Sequence, residues 1–128
     1  MTTQKVLIID DEIHIRTLLK QTLEDLEENY GVEILTASNG EEGLALIRNE
    51  LPEIVFLDIM LPQKNGYDVC KTVTEDPKLK DIKIILLTAK GQEIDRIRGM
   101  EAGALKYMTK PFDPDEVVAL TKNLLKLR

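Results

Sequence analysis

Short apolar runs recur along this chain, and most of them close on a polar residue. Ile54-Val55-Phe56-Leu57 runs straight into Asp58, and Val6-Leu7-Ile8-Ile9 into Asp10-Asp11-Glu12. A run with no polar alternate is the mark of a strand buried on both faces, as in a parallel sheet. Residues 32–37 form a weaker, partly alternating strand. Residues 82–87 lead into Thr88, and residues 105–109 into Lys110-Pro111.

Between these runs the spacing changes to that of helices. Ile15, Leu18, Leu19, Thr22, Leu23 and Leu26 make one face of the first. It opens on the acidic Asp10-Asp11-Glu12, where the helix dipole favours negative charge, and Gly31 ends the loop after it. Ser38-Asn39-Gly40 caps a second helix running to about residue 49, with Leu44 and Ile47 inward. A loop over residues 62–66 precedes a third helix, residues 67–75, which Asp76-Pro77 breaks. In a short fourth helix, Ile94, Ile97 and Met100 stand at helical spacing, while Gly99 and Gly103 predict a marginal, mobile segment. Asp113-Pro114-Asp115-Glu116 starts the last helix, whose stripe is Val117, Leu120, Leu124 and Leu127. Five strands alternating with five helices predict a single α/β domain over residues 1–128, a doubly wound sheet with parallel strands.

Composition narrows the class. The chain has 128 residues, 43% hydrophobic and 31% charged, which suits a globular domain with one core. The longest apolar runs are strand-length, so no membrane span is expected. Residues 1–5 lack the apolar stretch of a secretory signal. Cys70 is the only cysteine, which excludes an internal disulfide and fits a reducing, cytoplasmic location. A formal net charge of -6 argues against direct contact with nucleic acid.

The chemistry lies where the strands end. In open α/β sheets, ligands bind outside the carboxyl ends of the strands. The first strand delivers Asp10 and Asp11 there, the third Asp58, the fourth Thr88 and the fifth Lys110. Right-handed crossovers gather these residues at one rim. Three carboxylates together repel one another unless a cation sits among them, and a hard divalent ion such as Mg²⁺ suits oxygen ligands. Lys110 supplies a point charge that can pair with Asp58 or bind a phosphoryl oxygen. Thr88 supplies a hydroxyl, and Ala89 and Gly91 leave the nearby backbone open to a ligand. A carboxylate nucleophile, a divalent metal, a lysine and a hydroxyl together describe phosphoryl transfer to aspartate.

The sequence resembles the receiver domain of bacterial two-component response regulators over nearly its whole length. The resemblance rests on Asp10-Asp11, Asp58-Ile59-Met60-Leu61-Pro62 with Gly66, Thr88-Ala89, Gly103-Ala104 and Tyr107 through Lys110-Pro111-Phe112, in this order and spacing. It implies a flavodoxin-like sheet of order 2-1-3-4-5. It implies that Asp58 accepts a phosphoryl group from a histidine kinase or phosphotransfer protein, and that the domain is a signalling switch rather than a conventional enzyme. Asp11, Asp58 and the Met60 backbone carbonyl would hold Mg²⁺, with Asp10 acting through water. Lys110 and Thr88 would hold the phosphoryl oxygens, Thr88 and Tyr107 would form the switch pair, and the Lys110–Pro111 bond would be cis.

Two rival chemistries fit less well. A haloacid-dehalogenase-type phosphatase needs D-x-D at its nucleophile, but Met60 stands two after Asp58 and Glu12 two after Asp10. A flavodoxin-like redox protein needs a phosphate loop rich in Ser, Thr and Gly after the first strand, and none is there. The stretch from Leu87 to Phe112 is nearest to receivers of DNA-binding regulators. Such relatives place acidic residues where this chain has Leu105 and Lys106 and a basic one where it has Leu120, while Arg96 and Glu116 are retained. The expectation is a weak homodimer on activation.

Overall fold

Five parallel strands form one sheet in the order β2-β1-β3-β4-β5. They are β1 (Lys5–Ile9), β2 (Glu33–Ala37), β3 (Ile54–Asp58), β4 (Lys83–Ala89) and β5 (Lys106–Lys110). The computed structural model describes residues 3–89 and 93–127, with the backbone alone for residues 89 and 93–96. The chain builds outward from β1 to β2, then crosses back to β3 and continues to β5. The switch point therefore falls between β1 and β3, where the two Asp-terminated strands lie side by side.

Period-two alternation divides the core into two layers. Leu7, Ile9, Val55, Leu57, Ile84 and Leu86 face one side, against α3 (Gly40–Glu50), α4 (Gly66–Glu75) and α5 (Glu93–Glu101). Val6, Ile8, Ile54, Phe56, Ile85, Leu87 and Met108 face the other, against α1 (Ile13–Thr22), α2 (Glu24–Tyr30) and α6 (Pro114–Leu125). Covering both faces is what lets β3 be buried at all five positions. Among the described residues, no helix is long and apolar enough to cross a membrane.

The helix starts follow their side chains. Asn39, Asn65 and Asp113 each accept a backbone N–H at the head of α3, α4 and α6, and Pro114 takes the first position of α6. Five helical connections accompany the five strands, but the first is divided. Leu23 takes φ -95 and ψ 5, and its carbonyl accepts from both Leu26 and Glu27. Leu19, Leu23 and Leu26 are all fully buried across the break, and Leu18, expected inward, is exposed. Gly31 then closes α2 in the left-handed region, with the Val32 amide reaching back to the Leu26 carbonyl.

Two expectations change in detail. Helix α1 begins at Ile13 and has no acid in its first turn, so Asp10, Asp11 and Glu12 sit in the turn above the sheet instead. In α5, Ile97 and Met100 are 59% and 47% exposed, although their spacing suggested a core face. Among the described positions of α5, the buried one is Gly99, where a Cβ would lie 2.2 Å from the Leu86 Cδ1. The side chain of Ile94 lies outside the described residues.

Candidate functional site at the carboxyl rim of the sheet

The register carries the carboxylates together. Ile9 pairs with Leu57, so Asp10 and Asp58 leave neighbouring strands at the same level. Asp10, Asp58 and Lys110 each follow by two a residue of the α1–α6 face, namely Ile8, Phe56 and Met108. Alternation thus turns all three the same way. Thr88 follows Leu86 by two and belongs to the opposite face, the one against which Tyr107 packs.

Asp10 is fully buried and Asp58 is 4% exposed. Lys110 joins them, with its Nζ 2.9 Å from Asp10 Oδ2 and 3.5 Å from Asp58 Oδ1. The sequence suggested Asp58 as the partner of Lys110, yet the shorter contact is to Asp10. Asp58 Oδ1 also accepts the Met60 backbone N–H at 3.2 Å, and Asp10 Oδ1 accepts that of Glu12 at 2.9 Å. Arg16 reaches back from α1 to donate to the Asp10 carbonyl.

The electrostatics follow from this crowding. Burial, then the nearby Asp10 and more weakly Asp11, push the Asp58 carboxyl up to about 6, against the opposing pull of Lys110 and the Met60 amide. Burial works against the Lys110 ammonium, but its hydrogen bond to Asp10 and its attraction to Asp58 and Asp10 raise it above the ordinary value. Three aspartates against one lysine leave a surplus of negative charge.

That surplus is a fit for a divalent cation, and the donor set is hard oxygen. The carboxylates of Asp10, Asp11 and Glu12 have oxygens within 4.8 Å of one another. Glu12 was not singled out from the sequence, and the run of three acids was the signal that could have found it. Asp58 stands outside that group and is linked to it through Lys110. Met60 has an exposed side chain beside the site, so its contribution is backbone.

Gly66 lets the next helix start close beneath Asp58. A Cβ there would lie 2.4 Å from the Asp58 carbonyl oxygen, and the Gly66 amide bonds the Ile59 carbonyl. Thr88 is buried at the end of β4, and Tyr107 is half-buried two residues back along the neighbouring strand. Lys110–Pro111 is cis, as the resemblance implied. The openness of the backbone at Gly91 and the side chain of Arg96 lie outside the described residues.

Comparisons with known proteins agree with this architecture. The family model described as "Response regulator receiver domain" matches residues 6–122. The alkaline phosphatase synthesis transcriptional regulatory protein PhoP of Bacillus subtilis is 43% identical over 96% of this chain and 49% of its own length. The transcriptional regulatory protein ResD of the same organism is 43% identical over 95% of this chain and 48% of its own. The chain spans about half the length of the curated relatives it matches. Among solved structures, the chemotaxis response regulator CheY4 of Vibrio cholerae superposes with a TM-score of 0.83 at 29% identity, covering 96% of this chain and 99% of that one. A parallel sheet with its acids at the β1–β3 switch point, and a family match that spans it, lead to one conclusion: this chain belongs to the response regulator receiver domain family.

Proposed function

We propose that this receiver takes a phosphoryl group on Asp58 from a phosphohistidine of a sensor histidine kinase or phosphotransfer protein. The Asp58 carboxylate attacks phosphorus, an O–P bond forms, the N–P bond breaks, and the imidazole leaves with the electron pair. The observation that carries this reading is a buried carboxylate at a strand end, 3.5 Å from a lysine and flanked by a second buried acid. Lys110 would balance charge on the phosphoryl oxygens, and the Thr88 hydroxyl would be a further donor from the next strand. Asp11, Asp58 and the Met60 backbone carbonyl would hold Mg²⁺, with Asp10 acting through water; the occupied oxygens of Asp10 support that indirect role. When bound, Mg²⁺ supplies charge neutralisation at the transferring group. The same groups would orient water for hydrolysis of the acyl phosphate, which makes the domain a self-resetting switch.

The output reading follows from strand placement. Thr88 and Tyr107 share the α5 side of β4 and β5, so drawing Thr88 toward a phosphoryl group would vacate space for Tyr107 and carry the change outward. The exposed Ile97, Met100 and Leu105 leave that outward face partly apolar. Activated homodimers would then be weak and only mildly salt-sensitive, since exposed ion pairs contribute about 0–1 kcal/mol. Sedimentation at low and high salt with a phosphoryl mimic checks this, and a tight dimer that dissociates at high salt would refute it. The transcriptional regulators among its relatives support a cytoplasmic site of action.

The central test is incubation with Mg²⁺ and acetyl phosphate. Wild type should acquire an acid-stable, base-labile label, and Asp58→Asn should acquire none. Thr88→Ala should take up the label but fail to transmit chemical-shift changes beyond the site. Labelling of Asp58→Asn at the wild-type rate would overturn the proposal.

A further inference from the structure

Every polar group of Asp10 is occupied. Its amide donates to the Ala37 carbonyl, Oδ1 accepts from the Glu12 amide, Oδ2 accepts from Lys110, and its carbonyl accepts from Arg16 Nη1 at 2.7 Å. The first three partners belong to the rim. The fourth comes from inside helix α1 and is a charge-assisted bond. Arg16 also donates its own backbone amide to the Glu12 carbonyl at 3.1 Å. One residue therefore grips both ends of the acidic turn, through its main chain at Glu12 and through its guanidinium at Asp10.

We propose that Arg16 is a positioning residue for the acidic pocket. By holding the Asp10 carbonyl it keeps the turn 10–12 in the conformation where the carboxylates of Asp10, Asp11 and Glu12 converge. Three converging carboxylates repel one another, and an untethered turn would relax by spreading them. A tether to the backbone resists that spreading without consuming a carboxylate oxygen. The pocket is then preorganised for a divalent cation, and outer groups of this kind govern metal affinity.

The guanidinium has two effects of opposite sign. Its charge lowers the pocket's attraction for a cation, whereas its tether raises it by fixing the donors. Arg16→Lys separates them, because it keeps the charge and loses the planar fork that reaches the carbonyl. Arg16→Met keeps much of the stem and loses both. If Arg16 only fastened α1 to the sheet, Arg16→Lys would lower stability and leave cation affinity alone.

The inference rests on the acidic pocket taking a divalent cation and not on phosphorylation of Asp58. The test is Mn²⁺ titration followed by the free-ion resonance signal, with Mg²⁺ competition and no phosphodonor. Amide exchange at Glu12 in metal-free protein and the urea midpoint are measured alongside. Arg16→Lys should bind Mn²⁺ about tenfold more weakly and exchange faster at Glu12, whereas Arg16→Met should exchange as fast but lose less affinity, because its missing charge offsets part of the missing tether. Unchanged or tighter binding in Arg16→Lys, with only the urea midpoint lowered, would overturn the proposal; that variant decides the matter even if Arg16→Met does not fold. No Mn²⁺ binding by wild type would overturn it as well. Intact Mn²⁺ binding without acyl phosphate formation would sink the phosphoryl-transfer reading and leave this one standing.

Discussion

The carboxyl rim and the seam between α4 and α5 are held together in opposite ways. At the rim, charged groups are forced into a buried space, and the contacts there compensate a repulsion that burial makes worse. At the seam, the helices meet through small residues and short neutral hydrogen bonds. Gly99 lies against Leu86, Gly103 lies against Thr74 with φ +99, and the Thr74 hydroxyl donates to the Ala102 carbonyl at 2.8 Å. Arg98 stacks over the Tyr67 ring at 4.3 Å and covers the seam from outside. The rim stores unfavourable charge that a ligand can relieve, while the seam stores none. Removing a charge should therefore stabilise the rim, and altering any group should weaken the seam.

The largest stability effect that can break this contrast is at Asp58. Its folded value of about 6 stands above its ordinary 3.8, so the native state binds the proton more tightly than the unfolded chain does. The stability this confers is complete below about pH 3.8 and is lost as pH rises through about 6. At pH 7 the ionised carboxylate costs on the order of 2–3 kcal/mol relative to a neutral group. Asp58→Asn in the absence of metal should be more stable than wild type at pH 7 by up to that amount, and the gap should close near pH 4. Saturating Mg²⁺ should narrow or reverse it, because only wild type keeps the full donor set. Urea denaturation across pH, with and without Mg²⁺, measures all three. A less stable Asp58→Asn at pH 7 without metal would show that the rim is not strained.

These two regions were not equally legible in the sequence. Asp10, Asp11, Asp58, Thr88 and Lys110 stood out because each is a polar residue ending an apolar run, and the parallel topology leaves such residues only one place to meet. The two-sided burial and the helix caps at Asn39 and Asp113 were legible for similar reasons, since they rest on periodicity and local side-chain bonds, whereas the strand order came only from the family resemblance. What did not show was which acid Lys110 would prefer, because one-residue offsets at strand ends are decided by packing. The division of the first helix at Leu23 was hidden for the same reason. The seam was misjudged more deeply. Gly99 and Gly103 carry no side-chain signal, and helix propensity counts them only as weakness, yet a Cβ at either would stand under 3 Å from Leu86 or Thr74.

Gly99→Ala tests that reversal. Propensity alone favours alanine by about 1 kcal/mol in a helix. The added Cβ would stand 2.2 Å from the Cδ1 of Leu86, which is fully buried, and overpacking of this kind costs about 1–3 kcal/mol. The expected outcome is a net loss of up to about 2 kcal/mol in urea denaturation, with phosphorylation from acetyl phosphate unchanged in rate. A stabilised Gly99→Ala would mean that the glycine is the weak spot its propensity suggests, and the seam would lose its claim to close packing.

The smallest expected effect sharpens the comparison most, because it removes one hydroxyl and almost no volume. Thr74→Val keeps the branched shape against Gly103 and loses the hydroxyl that donates to the Ala102 carbonyl. That carbonyl belongs to the turn that ends α5, where the helix leaves its last acceptors without helical partners. Cys70 Sγ approaches the same oxygen at 3.5 Å and remains as a weak second donor, so the carbonyl is not abandoned. The loss should be about 0.5–1.5 kcal/mol. It should be local, with faster amide exchange at Gly103 and Ala104, whose amides bond the Met100 and Gly99 carbonyls in the same turn. Exchange at Glu12 and Mn²⁺ affinity should stay at wild-type values, because no contact of Thr74 reaches the rim. If Thr74→Val changes cation binding as well, the rim and the seam are one coupled unit and the contrast between them fails.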